Sequence, residues 1–241
     1  MGLFSTDSAK YRAGMIDFNE TTSAQGALVR LVGQDKRVLE VGPAWGDVTQ
    51  ALKRRGCKVT CIELNQDMAA VAEKACDRMI VGDIETLLDS GDVLPLKSFE
   101  AATFGDVLEH LKDPVAVLRK AKPLLVESGC IVASIPNVSH QSVIYTLLRG
   151  DFPYSDEGLL DRTHLRFFTR ATIEAMFEEA GYRISEMVRI VNDTFYVSTK
   201  PPYRNTFDRL KQKALRRMVK AIGHVEAQTF QFVVRAEPIR N

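Results

Sequence analysis

From residue 37 to 136 short β-branched and apolar runs alternate with stretches whose apolar positions recur at helical spacing, the pattern of βαβ units in a parallel sheet. The runs predict strands at Arg37–Val41, Lys58–Glu63, Arg78–Val81, Phe99–Phe104 and Cys130–Ile135. Helices are predicted around Asp47–Arg55, Asn65–Lys74 and Pro114–Leu125, the last stopped by Glu127-Ser128-Gly129. Right-handed crossovers then dictate a doubly wound sheet that receives ligands at the carboxyl ends of its strands.

Beyond the fifth strand the pattern changes. A helix is predicted at Gln141–Arg149, a polar and aromatic loop over 150–168, and a helix at Arg170–Ala180 closed by Gly181. Ile184–Val191 and Thr229–Arg235 alternate as strands do and are expected to pair at the sheet edge, one of them antiparallel, which makes a mostly parallel seven-stranded α/β sheet. Three parts follow: an N-terminal lid and helix over 1–36, the helix at Thr22–Val32; a main domain over 37–191 and 227–241; and a basic helical insertion over 192–226. That insertion opens with Lys200-Pro201-Pro202-Tyr203 and carries Arg204, Arg209, Lys211, Lys213, Arg216, Arg217 and Lys220 opposite Leu210, Ala214, Leu215, Met218, Val219 and Ile222. Such a helix packs its apolar side on the domain, or docks over 204–222 on an anionic membrane surface, a lipid-linked acceptor or a phosphate-bearing substrate. Nucleic acid is not expected, because aromatic residues are not interleaved with the cations.

Composition narrows the classes. The 241 residues suit one α/β domain with appendages, and 32 basic residues against 31 acidic ones call for no polyanionic partner. Met1–Asp7 has no basic stretch ahead of an apolar core, and no run approaches the roughly 18 apolar residues of a membrane helix, so a cytoplasmic location is expected. Cys57, Cys61, Cys76 and Cys130 form no CxxC pair and read as reduced, packed thiols. No metal site is expected.

The chemistry collects at strand ends. In Glu40-Val41-Gly42-Pro43-Ala44-Trp45-Gly46 the glycines lie in a turn directly after the first strand, where a ligand can approach the backbone and the amides of the following helix. The full GxGxxG set of a dinucleotide site is missing, as is GxxxxGK[ST], so a cofactor without phosphates fits better. Glu63, ending the second strand, can accept both hydroxyls of a ribose, and Asp83 in Gly82-Asp83-Ile84 can accept from an adenine amino group with Ile84 beside the ring. The run Phe104-Gly105-Asp106-Val107-Leu108-Glu109-His110 puts a further acidic cluster on the same rim. Any one of these acids also suits a helix cap; the register of four carries the inference.

These residues carry a family resemblance. Val38–Gly42, Gly82–Glu85, Phe104 to Pro114, Ser134-Ile135-Pro136-Asn137 and Gly158 to Thr169 resemble the class I S-adenosylmethionine-dependent methyltransferases, in particular a branch found with bacterial glycan-modifying genes. The resemblance runs from Val38 to about Gly181 and implies a Rossmann-like fold with S-adenosylmethionine as cofactor and S-adenosylhomocysteine as product. It implies that Glu40 and the turn Gly42, Pro43, Ala44, Trp45 and Gly46 hold the methionine portion, Glu63 with Leu64 the ribose, Asp83 with Ile84 the adenine, and Asp106 between Gly105 and Val107 the region of the methionine amine, with His110 close by. Pro43 and Trp45 depart from the family's usual small or hydroxylic residues, and Trp45 either narrows the pocket or packs under it. Tyr11 and Arg12 fall where related enzymes lay a lid over the cofactor.

Methyl transfer to a hydroxyl needs in-line alignment and a proton acceptor, for which a near-neutral histidine suits. His110, His140 and His164 all map to the carboxyl rim, whereas His224 falls in the insertion. Each is a candidate base, or else a loop-fixing residue, and in some related enzymes no base is needed. Asn137, Tyr154, Asp161 and Arg166 are candidate acceptor-binding residues, with the alternative that Asp161, Arg162 and Arg166 form a buried ion network. Three readings remain open: O-methylation of a sugar hydroxyl in a nucleotide sugar or a surface or lipid-linked glycan; methylation of a small secondary metabolite or quinone precursor at oxygen or nitrogen; and a non-catalytic cofactor-binding module.

Overall fold

Four strands of unbroken or nearly unbroken apolar character lie side by side in the middle of the sheet because helices cover both of its faces. The computed structural model describes residues 16, 22–89, 93–191, 210, 213–214, 217–218 and 225–240. The strands β1 (Arg37–Val41), β2 (Lys58–Glu63), β3 (Arg78–Val81), β4 (Phe99–Gly105) and β5 (Leu125–Pro136) run parallel, and β6 (Tyr182–Val191) and β7 (Thr229–Pro238) complete a seven-stranded sheet in the order β3-β2-β1-β4-β5-β7-β6. β7 is antiparallel to both β5 and β6, so the expected antiparallel pair forms this edge with β7 lying inside β6.

The period-two alternation along each strand divides the apolar residues between two layers. Leu39, Val41, Phe104, Ile131 and Phe232 face α5 (Pro114–Ala121) and α7 (Arg170–Glu179), meeting Leu118, Ile173 and Phe177. Val38, Cys61, Val132 and Val233 face α1 (Ala24–Val32) and α2 (Asp47–Arg54), meeting Leu28, Val29 and Leu52. Cys57, Cys61 and Cys130 are buried free thiols, and Cys76 is a half-buried one. The helix α1 is a layer of the core: Ala27, Val29 and Val32 are fully buried, and Arg235 of β7 donates to the Leu31 carbonyl at 3.1 Å.

Capping explains most helix starts. Ser23 accepts from the Gly26 amide at 3.0 Å, Asn65 caps α3 (Gln66–Ala72), Asp113 caps α5 with Pro114 at its first position, and Thr169 and Thr172 close a capping box on α7. One short helix was not expected, α4 (Ile84–Leu87), and α6 (Gln141–Leu147) ends two residues before the predicted Arg149. The helix predicted to reach Leu125 stops at Ala121 and tightens into a 3-10 turn over Lys122–Leu124, because Pro123 has no amide to continue the ladder. Glu127-Ser128-Gly129 is accordingly no helix stop but a bulge inside β5, where the register jumps from Phe99–Leu125 to Ala101–Cys130.

Among the described residues no helix is long and apolar enough to cross a membrane. Tyr11, Arg12, His224 and most of the basic insertion lie outside the described residues. Of its apolar stripe Leu210, Ala214 and Met218 are described, and all three are exposed, so this part is not packed on the domain as expected.

Phe232 pairs with Ile135 across the β5–β7 seam and is fully buried. Phe232→Ala is expected to cost about 3–5 kcal/mol, read as a lowered urea midpoint with little change in slope.

Candidate functional site

The turn after β1 is shaped by three left-handed residues, Gly42 (φ 69°), Ala44 (φ 49°) and Gly46 (φ 84°). At Gly42 a Cβ would stand 2.7 Å from Val107 Cγ2, so a side chain there would displace the β4 loop that closes over the turn. Glu63 holds the turn from the neighbouring strand end: its Oε2 accepts from the Ala44 amide at 3.1 Å and its Oε1 from the Asn65 amide at 2.9 Å. Burial raises the Glu63 pKa above the usual carboxylate range. Gly46 then opens α2 with no side-chain cap, leaving the positive end of that helix to face the turn. Pro43 is buried, and Ala44 and Trp45 are half-buried.

Glu40 does not line this turn. Its carboxylate is directed into the layer beneath α2, where Oε2 accepts from Thr49 Oγ1 at 2.8 Å and both residues are buried. Burial, opposed by the Thr49 hydrogen bond, pushes its pKa up to about 7. The expectation that Glu40 touches a ligand is therefore corrected to a supporting role for α2.

At the next strand ends Asp83 is half-buried and caps α4, accepting from the Glu85 amide at 2.9 Å, beside a buried Ile84. Leu64 is exposed. Asp106 follows Gly105 with φ 52°, a strained conformation for a residue with a side chain, and is held in it from two other strands. Its amide donates to the Ser134 carbonyl and hydroxyl, while its Oδ1 accepts from Ser134 Oγ at 2.9 Å and from Gln231 Nε2 at 2.8 Å. Gln231 was not foreseen. It reaches Asp106 through the antiparallel register that sets it opposite Pro136, and its only trace in the sequence is a polar residue on the inward alternation of β7.

The loop between α6 and α7 is tied to the same strand end. The Glu109 carbonyl accepts from the amides of Leu165 (2.9 Å) and Arg166 (3.0 Å), and His110 Nδ1 lies 3.2 Å from the Thr163 carbonyl. A carbonyl only accepts, so Nδ1 carries the proton and Nε2 is left as the basic nitrogen. The His110 and His164 rings meet edge to face with centroids 4.8 Å apart. Asp161 Oδ1 accepts from the amide and hydroxyl of Thr163, which fixes the backbone that presents His164.

Three further residues leave the list of candidates. His140 is fully buried, caps α6 and has Nδ1 2.8 Å from Ser142 Oγ, so it does not meet an acceptor. Asn137 is fully buried with its amide spent on the carbonyls of Glu226 and Thr229 and its oxygen on Ser139, which ties β5 to β7. Asp161 is 4% exposed and serves the loop. Among the described residues no ion pair joins it to Arg162 or Arg166: Arg162 pairs with Asp156 on the surface and Arg166 donates to the Lys112 carbonyl. Tyr154 stays available, exposed and resting on Phe152. What remains together is the turn, Glu63, Asp106 and the His110–His164 pair.

The chain is similar to known proteins in sequence and in fold. The family model described as a methyltransferase domain matches residues 19–186. A ubiquinone biosynthesis O-methyltransferase of Psychrobacter arcticus is 27% identical over 160 residues, covering 64% of this chain and 61% of that protein. The chain thus aligns with about three-fifths of that relative's length. A SAM-dependent methyltransferase from Archaeoglobus fulgidus superposes with a TM-score of 0.59 at 19% identity, covering 89% of this chain and 94% of that one. The 1,6-didemethyltoxoflavin-N1-methyltransferase of Burkholderia thailandensis, solved with its substrate and S-adenosylhomocysteine, superposes at 0.56 and 15% identity over 91% of this chain and 78% of that one.

The raised pKa of Glu40 has a signed consequence. The folded chain keeps the proton that the unfolded chain loses near the ordinary value, so the contribution is complete below about pH 4.5 and is lost as pH rises through about 7. Relative to Glu40→Gln, the wild type is expected to lose on the order of 3 kcal/mol between those limits, measured by urea titrations across the window. Parallel profiles for the two chains would show that Glu40 is ionised throughout.

Proposed function

The chain belongs to the methyltransferase-domain family, and from that premise we propose that it transfers a methyl group from S-adenosylmethionine to a hydroxyl oxygen of a small acceptor. The observation that carries the reading is the convergence of three strand ends: the turn 42–46, Glu63 bonded to Ala44, and Asp106 pinned by Ser134 and Gln231. The donor set fits the cofactor's parts. The uncapped start of α2 suits its carboxylate, Asp106 its ammonium, Glu63 its ribose hydroxyls, and Asp83 with Ile84 its adenine. Bound there, S-adenosylmethionine supplies an electrophilic methyl whose C–S bond breaks as the acceptor oxygen forms its C–O bond. His110, with its tautomer set by Thr163, and His164 stand beside Asp106 to take the hydroxyl proton on a basic ring nitrogen.

For the acceptor, a phenolic quinone precursor is favoured over a sugar. The relatives' names point to oxygen on such a precursor. Two of the residues expected to grasp a polyhydroxyl sugar, Asn137 and Asp161, are spent inside the fold. Tyr154 and Phe152 instead give the loop an aromatic surface for a flat acceptor.

Calorimetry with S-adenosylhomocysteine tests the cofactor site: binding by the wild type is expected, with about 10–100-fold loss in Asp106→Asn. Transfer of labelled methyl to catechols and other phenols, with none to nucleotide sugars, is expected in an acceptor screen. Turnover confined to nucleotide sugars would overturn the phenolic assignment while leaving the methyltransferase intact.

A further inference from the structure

Beside the two histidines lies a carboxylate that the fold leaves unmatched. Glu109 is 1% exposed, and neither of its side-chain oxygens has a hydrogen-bond partner. Buried charged groups are retained where something compensates them, either a partner or a metal ion. Burial holds the Glu109 pKa well above the ordinary range, and the nearby Asp106 and Asp161 add repulsion to it. Its carboxylate faces the His110–His164 pair: one ligand atom from each of Glu109, His110 and His164 lies within 4.8 Å of the other two.

We propose that Glu109, His110 and His164 form a site for one divalent metal ion whose open positions take the oxygen atoms of the methyl acceptor, the second clause resting on the reading of the acceptor given above. Two imidazoles and one carboxylate are a donor set for zinc, manganese or iron(II), and three protein donors leave coordination positions for an exchangeable ligand. With metal–ligand bonds of about 2.1 Å, donors sit roughly 3–4 Å apart, so small side-chain rotations suffice to close the present spacing. The surrounding hydrogen bonds are those that orient ligands. His110 gives its Nδ1 proton to the Thr163 carbonyl, as ligating histidines do, and leaves Nε2 for the ion. The Glu109 carbonyl holds the Leu165 and Arg166 amides, so the segment bearing His164 is fastened to the segment bearing the other two ligands. An ion here offsets the mutual repulsion of Asp106, Glu109 and Asp161, and it lowers the pKa of a hydroxyl bound to it. With the ion in place the two imidazoles are its ligands and no longer act as bases, so the acceptor's hydroxyl proton passes to solvent and the metal-held oxygen makes the C–O bond as the C–S bond breaks. Two vicinal oxygens, as in a catechol, would chelate the ion. The sequence alone suggested no metal because the ligands include no cysteine and follow no repeated spacing, an adjacent Glu-His and one distant histidine.

The test uses the full chain stripped with a chelator and titrated with cobalt(II), followed by visible d–d absorption and thermal midpoint, and with S-adenosylhomocysteine by calorimetry in parallel. One cobalt per chain is expected, with a raised midpoint in the wild type and at least about tenfold weaker binding in both Glu109→Gln and His164→Gln. Glu109→Gln keeps the backbone carbonyl that holds the loop and removes a lone buried charge, so its metal-free midpoint is expected to match or exceed that of the wild type. No cobalt binding at millimolar concentration, or binding that neither variant weakens, overturns the metal site. If S-adenosylhomocysteine still binds in that case, the methyltransferase reading stands without it; if cobalt binds as expected and S-adenosylhomocysteine does not, the cofactor reading fails and the metal site stands.

Discussion

Everything at this site depends on parallel strands joined by right-handed crossovers, because that arrangement delivers every functional loop to one edge of the sheet. β2 ends in Glu63 and β4 in Gly105, and β1 and β3 are followed at once by Gly42 and Gly82, so each strand hands over at the rim to an acidic or glycine residue. Glu63 shows how the rim is consolidated. A carboxylate at the end of β2 takes the amide of Ala44 in the turn after β1, so two adjacent strand ends become one rigid surface. Asp106 does the same across β4, β5 and β7 through Ser134 and Gln231. The left-handed backbone at Ala44 and Asp106 is tolerated because these bonds over-determine it.

Gathering acids at one rim has an electrostatic cost that the fold distributes unequally. Glu40 avoids it by retreating under α2 and holding its proton to near neutral pH. Asp106 is stabilised as an anion by two donors and by the neighbouring His110, which oppose the effect of burial. The Glu109 carboxylate has no hydrogen-bond partner and no solvent, and burial, with repulsion from Asp106 and Asp161 added, holds its pKa well above the ordinary range.

The fold was legible because it is written in periodicity. The five parallel strands were placed within a few residues, and the errors that remain have local causes: Pro123 ended a helix that the apolar spacing extended, and the β5 bulge at Gly129 mimics a helix stop because glycine serves both. The placement of Glu63, Asp83 and Asp106 at strand ends was legible for the same reason, since these residues follow directly from the strands. The acceptor side was not. Asn137, His140 and Asp161 are polar residues next to strand ends or loops, and sequence does not tell whether such a group faces a ligand or closes a seam between β5, β7 and the loop over 150–168. Gln231 was invisible because its role depends on a strand that joins the sheet 125 residues after its partner.

That difference separates the two halves of the site. A cofactor bound to strand ends is recognised through backbone and nearest carboxylates, so the fold itself supplies most of its contacts. An acceptor is recognised by loops, whose side chains are first spent on holding the loop. Here the loop over 150–168 uses Asp161 to fix Thr163 and the Glu109 carbonyl to fix Leu165 and Arg166, and what it presents after those commitments is His164 beside His110. On the proposed reading, the acceptor's reactive oxygen meets the two imidazoles and the buried carboxylate, and the rest of it meets the aromatic surface at Phe152 and Tyr154. A flat molecule with adjacent hydroxyls satisfies both demands, since one end can engage the histidine cluster while its ring lies on the aromatic residues.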